Sequence, residues 1–319
     1  MEINTIHNSD WMNNGLPDQS VDLIIADPPY FEILGDFDFI WDSFDDYLKD
    51  VEKWAIECKR VLKDNGTLFW YGDDKRIAYA QIIFDKHFSL INSLIWYKYN
   101  LRGGMFRSTG GDSVRSFPIC TERILMYSND KYNLTQCVYQ IRDYIRSEVQ
   151  KSKGKIVLKD INKALGTATN GGGVASACLS LDKSEPTMFT KEMYQKLQKW
   201  CYPYLRKEYE ELRKEYEELR RPFSNFLNLN EVLQFNTNTN KTYQHDTIKP
   251  EKLTRALMLT CSKADALVLV PFAGSGTECA MAQKENRNFI GFEIDEKYHE
   301  VAMNRLKHQQ EKSKQQSLF

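Results

Sequence analysis

The chain has 319 residues, 42% of them hydrophobic and 27% charged, with a formal net charge of -1, which suits one large globular domain or two smaller ones with a substantial core. No apolar run approaches the roughly 18 residues that a membrane helix needs, and the start, Met1-Glu2-Ile3-Asn4, lacks the charged-then-apolar pattern of a secretion signal, so a cytoplasmic protein without a membrane partner is expected. The seven cysteines show neither metal-ligand spacing nor a disulfide framework, so no metal site is expected.

Taken in chain order, Val21 to Ala26 is a short apolar run that stops at two prolines and reads as a buried strand. Residues 45 to 62 place apolar side chains at helical spacing and are followed by Asp64-Asn65-Gly66 as a stop. Thr67 to Tyr71 reads as the next strand, 74 to 86 as a helix, and 89 to 97 and 119 to 127 as strands around a loop rich in glycine and arginine. Strand and helix alternate, which predicts an α/β fold with a largely parallel sheet. From about residue 137 short helix signals replace that pattern, as in an insertion. Within it, Leu158 to Gly166 reads as an amphipathic helix with a glycine stop, and a second short helix is expected near Val174, the outline of a helix-turn-helix. Leu-Arg-Lys-Glu-Tyr-Glu-Glu then occurs twice, giving one apolar seam through Leu205, Tyr209, Leu212, Tyr216 and Leu219 that serves either docking or dimerisation. The α/β pattern resumes with a strand at 266 to 270, a helix at 277 to 284, a strand at 288 to 292 and a closing helix at 298 to 308, beyond which a polar, frayed end is expected.

Charge is unevenly spread. Residues 1 to 60 carry 14 acidic and 4 basic side chains, whereas residues 142 to 163 carry 7 basic and 3 acidic ones. The basic stretch suits phosphate, although a solvated helix face produces the same run.

Two segments carry chemistry. At Asp27-Pro28-Pro29-Tyr30 the prolines fix the backbone and remove two donors, leaving a carboxylate and carbonyl oxygens as acceptors beside an aromatic ring. Such a place suits an amino group with two hydrogens to give, on a flat ring that Tyr30 can stack against; a plain turn with an Asp cap is the blander reading. Between a strand and a helix, Phe272-Ala273-Gly274-Ser275-Gly276-Thr277 lets backbone approach a ligand closely, though the third glycine of the dinucleotide fingerprint is missing. Glu293 follows 17 positions after Gly276, where a carboxylate can accept hydrogen bonds from both ribose hydroxyls of a nucleoside. A tight turn and a surface carboxylate would look alike.

In this order, the segments resemble the amino-methylating DNA methyltransferases of the β arrangement, in which the catalytic motif precedes the target-recognition region and the cofactor loop comes last. The resemblance covers roughly residues 3 to 136 and 235 to 308. It implies an α/β, Rossmann-like, S-adenosylmethionine-dependent methyltransferase with a mixed, mostly parallel sheet and a mainly helical inserted DNA-recognition module. The core would be 1-136 and 235-312, the insert 137-234, and 313-319 a flexible tail. Asp27, Pro28, Pro29 and Tyr30 match the catalytic motif. Asp10, Asp27, Thr247, Lys249, Phe272, Ala273, Gly274, Ser275, Gly276, Thr277 and Glu293 are the expected contacts to S-adenosylmethionine. Val270 stands where many members have Asp, and Asp246 where many have Pro.

The activity implied is methylation of adenine N6 on a flipped-out base. Asp rather than Ser at position 27 favours adenine over the alternative, cytosine N4. DNA is the expected partner, through Arg102, Arg107 and Arg115 of the glycine-rich loop and Lys159, Thr169 and Asn170 of the insert. A cognate restriction enzyme and a homodimer remain open as further partners, in a bacterial or phage-encoded setting. The reading of another class is a DNA-binding regulator without catalysis.

Overall fold

A computed structural model describes residues 1-33, 38-99, 117, 119-129, 133-170, 172-182, 187-237 and 248-316. The chain divides into one unit of residues 1-131 and 222-319 and another of residues 132-221.

The first unit is built on an eight-stranded sheet. Its strands are β1 (Thr5–Asn8), β2 (Val21–Ala26), β3 (Leu62–Gly72), β4 (Ser89–Tyr97), β5 (Thr121–Ser128), β6 (Val232–Gln234), β7 (Leu267–Val270) and β8 (Asn288–Glu293). They lie side by side as β1-β8-β7-β2-β3-β5-β4-β6. All neighbouring pairs are parallel except the two that β5 makes, with β3 and with β4.

The middle strands carry long apolar runs, Leu23 to Ala26, Leu68 to Tyr71 and Leu267 to Val270, because both faces are covered there. Leu23, Ile25, Phe69, Tyr71, Val268 and Val270 pack on one side with residues of α8 (Glu251–Cys261), α9 (Thr277–Lys284) and α10 (Glu296–Gln316). Ile24, Ala26, Leu68, Trp70 and Leu269 pack on the other with α1 (Phe44–Val61) and α2 (Ile77–Phe84). Each such side chain removed from water contributes about 1.5-3 kcal/mol, so the sheet is fixed in register by the two-residue alternation of the strands.

The second unit contains α3 (Asn133–Lys153), α4 (Leu158–Leu165), α5 (Val174–Leu179), α6 (Lys191–Cys201) and α7 (Tyr209–Leu219). Ile141, Ile145 and Val149 of α3 form a stripe at helical spacing that meets Ile161, Leu165, Leu179, Tyr194 and Leu197 in a separate core.

Several elements depart from the sequence-based expectation. Asp64-Asn65-Gly66 does not stop α1, which ends at Val61; those residues lie within β3, where the pairing with β2 slips between Val21 and Leu23. Such an irregularity absorbs polar residues that would not suit a continuous ladder. Strand β6, in a stretch read as part of the insert, pairs with β4 at the sheet edge through Val232, Leu233 and Gln234. Helix α3 begins before residue 137, and the boundaries of the helical unit fall at 132 and 221 rather than at 137 and 234. Helix α10 runs on to Gln316, because Gln, Glu and Lys after His308 are good helix formers despite being polar. The doubled heptad is helical only from Tyr209. Leu205 precedes the helix with a φ of 55°, and the seam residues Leu205 and Leu212 are buried in the core of their own unit, with Tyr209 and Tyr216 against it.

Candidate active site

From β2 the chain crosses through α1 to β3, while from β7 it crosses through α9 to β8 on the opposite side. Since β2 and β7 are neighbours, their outgoing loops diverge and leave a crevice at the carboxyl ends of the strands. Asp27 follows β2 directly and the glycine loop follows β7, so segments from both ends of the chain meet there.

The loop is held by its backbone. Gly274 and Gly276 have φ of 49° and 73°, and a Cβ on Gly276 would lie 2.9 Å from the Cβ of Ala302 in α10. Glycine is therefore required at 276 both by conformation and by close packing. Buried Arg305 donates to the Thr277 hydroxyl at 2.7 Å and to Glu251 at 2.8 Å, tying the loop to α8 and α10. Ala273, Ser275 and Thr277 are buried, and Phe272 packs edge-on against Trp54 with ring centres 5.0 Å apart. Gly274 is the more open member of this loop, together with one side of Phe272.

Glu293 ends β8 in a half-buried position. One carboxylate oxygen accepts the N–H of Gly274 at 2.7 Å and the other accepts the N–H of Asp295 at 2.9 Å. Burial pushes its carboxyl above the usual range, partly offset by those two donors. Both oxygens keep a further lone pair for hydroxyl donors. Asp10 lies just beyond the end of β1, whose last residue, Asn8, pairs with Glu293. Its side chain caps the 3-10 turn Trp11–Asn13 by accepting the Met12 N–H at 2.9 Å, and it is exposed.

Asp27 stands at one end of an ion-pair chain. Its Oδ1 accepts the Tyr30 hydroxyl at 2.8 Å, and its Oδ2 lies 2.8 Å from the Lys249 ammonium. Lys249 also lies 3.3 Å from Glu122, which in turn meets Lys98 at 2.5 Å. Lys249 is 5% exposed. Burial alone would lower its affinity for a proton; the charges of Asp27 and then Glu122 more than reverse this and hold it above the ordinary lysine value. Burial also pushes Glu122 up, but Lys249 and Lys98 outweigh it and its carboxyl sits below the usual range. The Tyr30 phenol is pushed well up by burial and by the nearby Asp27 and Glu122 charges, so it remains a donor. Pro28 is buried and Pro29 half-buried, and the Asp38 carboxylate pins the motif from outside by accepting the Tyr30 N–H.

The tetrapeptide, Lys249, the glycine loop, Glu293 and Asp10 thus all belong to one sheet edge. Arg102, Arg107, Arg115, Asp246 and Thr247 lie outside the described residues. Val270 is fully buried on the face covered by α8, α9 and α10. Sequence reasoning missed Lys98, Glu122, Tyr71 and Glu278. Glu122 is the second residue of β5, and only the reversed direction of that strand brings its start to the crevice. Tyr71 is fully buried, and its hydroxyl finds no hydrogen-bond partner among the described residues; the Lys249 ammonium lies 5.3 Å from its ring centre. Glu278, in the first turn of α9, accepts the Thr254 hydroxyl at 3.1 Å.

In the helical unit, α4 and α5 are joined around Asn162. Its Oδ1 accepts the Thr167 hydroxyl at 2.9 Å and the Ala175 N–H at 2.8 Å, so a side chain of one helix caps the next. Gly173 sits so close that a Cβ there would be 2.2 Å from the Ala168 carbonyl oxygen. Lys159, Thr169 and Asn170 are exposed. Helix α5 itself has six residues and no charged side chain, and Ala175, Cys178 and Leu179 face the core, so the exposed polar groups lie on the joint rather than on this helix.

Comparison with known proteins agrees with this geometry. The chain is 26% identical to the type II methyltransferase M.HinfI of Haemophilus influenzae, over 96% of this chain and 68% of that protein. It is 27% identical to the DNA adenine methyltransferase YhdJ of Escherichia coli K12, over 91% of this chain and 78% of that one. A crystal structure of an M1.HpyAVI–SAM complex superimposes with a TM-score of 0.53 at 17% identity, covering 95% of this chain and 98% of that one, which establishes the fold. Residues 21-304 match the model of the N6/N4 DNA methylases, and the chain belongs to the DNA methylase family.

Proposed function

We propose that the protein transfers a methyl group from S-adenosylmethionine to N6 of an adenine rotated out of DNA, with Asp27 receiving the amino group. The observation that carries this is the Asp27 carboxylate, fixed between Tyr30 and Lys249 at the crevice that also holds the Gly274 loop and Glu293. Membership of the methylase family supports the reaction class, and likeness to YhdJ, named as an adenine methyltransferase, supports the choice of base.

The residues present fit S-adenosylmethionine. Glu293, its carboxylate oriented by two backbone amides, suits a ribose diol, and the Gly274 backbone at the start of α9 suits close approach of a ligand. Asp10, Phe272, Ala273, Ser275, Gly276 and Thr277 frame that end of the crevice, with Thr247 assigned to it from sequence alone. When bound, the cofactor supplies an electrophilic methyl group on a sulfonium.

An exocyclic amino nitrogen is a weak nucleophile because its lone pair is delocalised into the ring. Asp27 retains lone pairs beyond those engaged by Tyr30 and Lys249, and the Pro28 carbonyl lies next to it; together they accept the two amino hydrogens and favour a geometry in which nitrogen attacks. Tyr30 presents its ring to the base while its hydroxyl braces Asp27. No covalent enzyme intermediate is required, and the work is positioning and electrostatics. Lys159, Thr169 and Asn170, with Arg102, Arg107 and Arg115, are assigned to DNA contact, the lysine and arginines at phosphates.

The test is incubation with DNA and labelled cofactor, followed by digestion to nucleosides. N6-methyladenine is expected. Label in N4-methylcytosine would overturn the base assignment, and DNA bound without label would favour the regulator. Asp27→Ala is expected to lower the rate by about 10²-10⁴-fold while cofactor affinity by calorimetry stays close to parental; near-parental transfer would remove Asp27 from its role.

A further inference from the structure

We propose that Glu122 is a positioning residue for methyl transfer: it shares the Lys249 ammonium with Asp27 and so controls how tightly that ammonium grips the acceptor carboxylate. The inference rests on the reading of Asp27 as the acceptor for the substrate amino group.

The four side chains alternate in sign from one strand end to the next. Asp27 follows β2, Lys249 precedes α8, Glu122 is the second residue of β5 and Lys98 follows β4, with contacts of 2.8, 3.3 and 2.5 Å in that order. Lys98 is itself steadied over the Trp96 ring at 5.1 Å, and Trp96 is the cross-strand partner of Glu122. The β4–β5 pair therefore sets where Glu122 stands, and Glu122 sets where Lys249 stands. The other groups facing this ammonium are the rings of Tyr30 and Tyr71 and the more distant carboxylate of Glu278.

An ammonium nine-tenths buried beside one carboxylate would pair with it as fully as geometry allows. Three N–H donors and a flexible stem let Lys249 reach both Asp27 oxygens if nothing else claims it. In the structure it lies 2.8 Å from Oδ2, with Tyr30 on Oδ1, and the same ammonium lies 3.3 Å from Oε2 of Glu122, a buried oxygen with no hydrogen bond of its own among the described residues. Neutralising Glu122 removes that counter-pull. The ammonium then closes on the lone pairs that the amino hydrogens need, so the rate of transfer falls while the binding surfaces for cofactor and DNA stay as they were.

The experiment uses the full chain, DNA free of N6-methyladenine and S-adenosylmethionine, with single-turnover assays for the transfer rate and steady-state assays for KM. Glu122→Gln, nearly isosteric, is expected to slow transfer about ten-fold or more, with cofactor Kd and DNA KM within about two-fold of parental. Glu122→Asp keeps the charge and is expected to recover most of the rate. In a Lys249→Met background, Glu122→Gln is expected to cost nothing further, because its effect runs through Lys249. Parental transfer by Glu122→Gln, loss in Glu122→Asp equal to that in Glu122→Gln, or independent losses in the double variant would each overturn the proposal. So would a loss confined to thermal stability and cofactor affinity. These outcomes are read alongside Asp27→Ala: if that variant still methylates, the acceptor reading fails first and this inference with it, whereas an inactive Asp27→Ala beside an unimpaired Glu122→Gln removes Glu122 alone.

Discussion

The crevice of the sheet unit and the α4–α5 joint of the helical unit are held in opposite ways. At the crevice Asp27 meets Lys249, more than 200 positions away, and Gly274 meets Glu293 across the paired strands β7 and β8, so these contacts depend on how the sheet is assembled. At the joint Asn162 bonds to partners 5 and 13 positions away, and the arrangement is complete within a short stretch. The first is a product of topology and the second of local sequence. On the proposed reading, changes in the joint should weaken DNA binding, and changes in the crevice should weaken cofactor binding or methyl transfer.

That contrast can be broken at two glycines. The larger effect is expected from Gly276→Val, which forces a β-branched residue to positive φ and its Cβ against Ala302. A loss of about 2-4 kcal/mol is expected, with weakened cofactor binding; a thermal melt and a calorimetric titration within error of the parent would contradict the packing described for the loop. Gly173→Ala is the matching change at the joint, where φ is ordinary but space is lacking. A loss of about 1-3 kcal/mol is expected, together with poorer DNA affinity and unchanged cofactor affinity. Equal damage to both affinities would show that the units are not independent in this respect.

A smaller effect concerns Glu278, whose carboxyl is pushed up by burial and by the charge of Asp27. A folded pKa above the unfolded one means that its contribution to stability is fully present below the ordinary Glu range and is lost as pH rises through the folded value. Glu278→Gln should therefore raise the melting temperature on the neutral and alkaline side and lose that advantage in acid. An offset that stays constant with pH would show that the carboxyl is not strained by its surroundings.

Much of this architecture was legible in the sequence because the signals were local. Val21 to Ala26 is an uninterrupted apolar run, Gly166 stops α4 with a φ of 74°, and the helix after Gly276 falls at Thr277 to Lys284 as its pattern indicates. The tetrapeptide and Glu293 were found because each follows a recognisable strand. What stayed hidden depended on partners distant in sequence. Strand β6 has three residues and is a strand only because β4 lies beside it. Glu122 carries no sequence mark of its importance, since one acid at the head of a strand looks like any surface carboxylate until Lys98 and Lys249 enclose it. The start of β3 was misplaced because Asp-Asn-Gly is a turn signal in isolation, whereas here the strand begins at Leu62 and its ladder with β2 tolerates those residues.

The reversed direction of β5 has a practical consequence for altering this protein. In a parallel strand, such as β2 or β7, the crevice receives the residues that leave the sheet, and a change in length before the strand is met at the opposite edge. In β5 the crevice receives the residues that enter it, so the connection ahead of Thr121 feeds straight into the ion-pair chain. Adding or deleting a single residue between Glu122 and Arg123, with the rest of the strand kept in place, would carry Glu122 to the other face of the sheet. Loop grafts on this side should therefore rejoin the chain ahead of Thr121 and leave the strand from Thr121 to Ser128 unaltered.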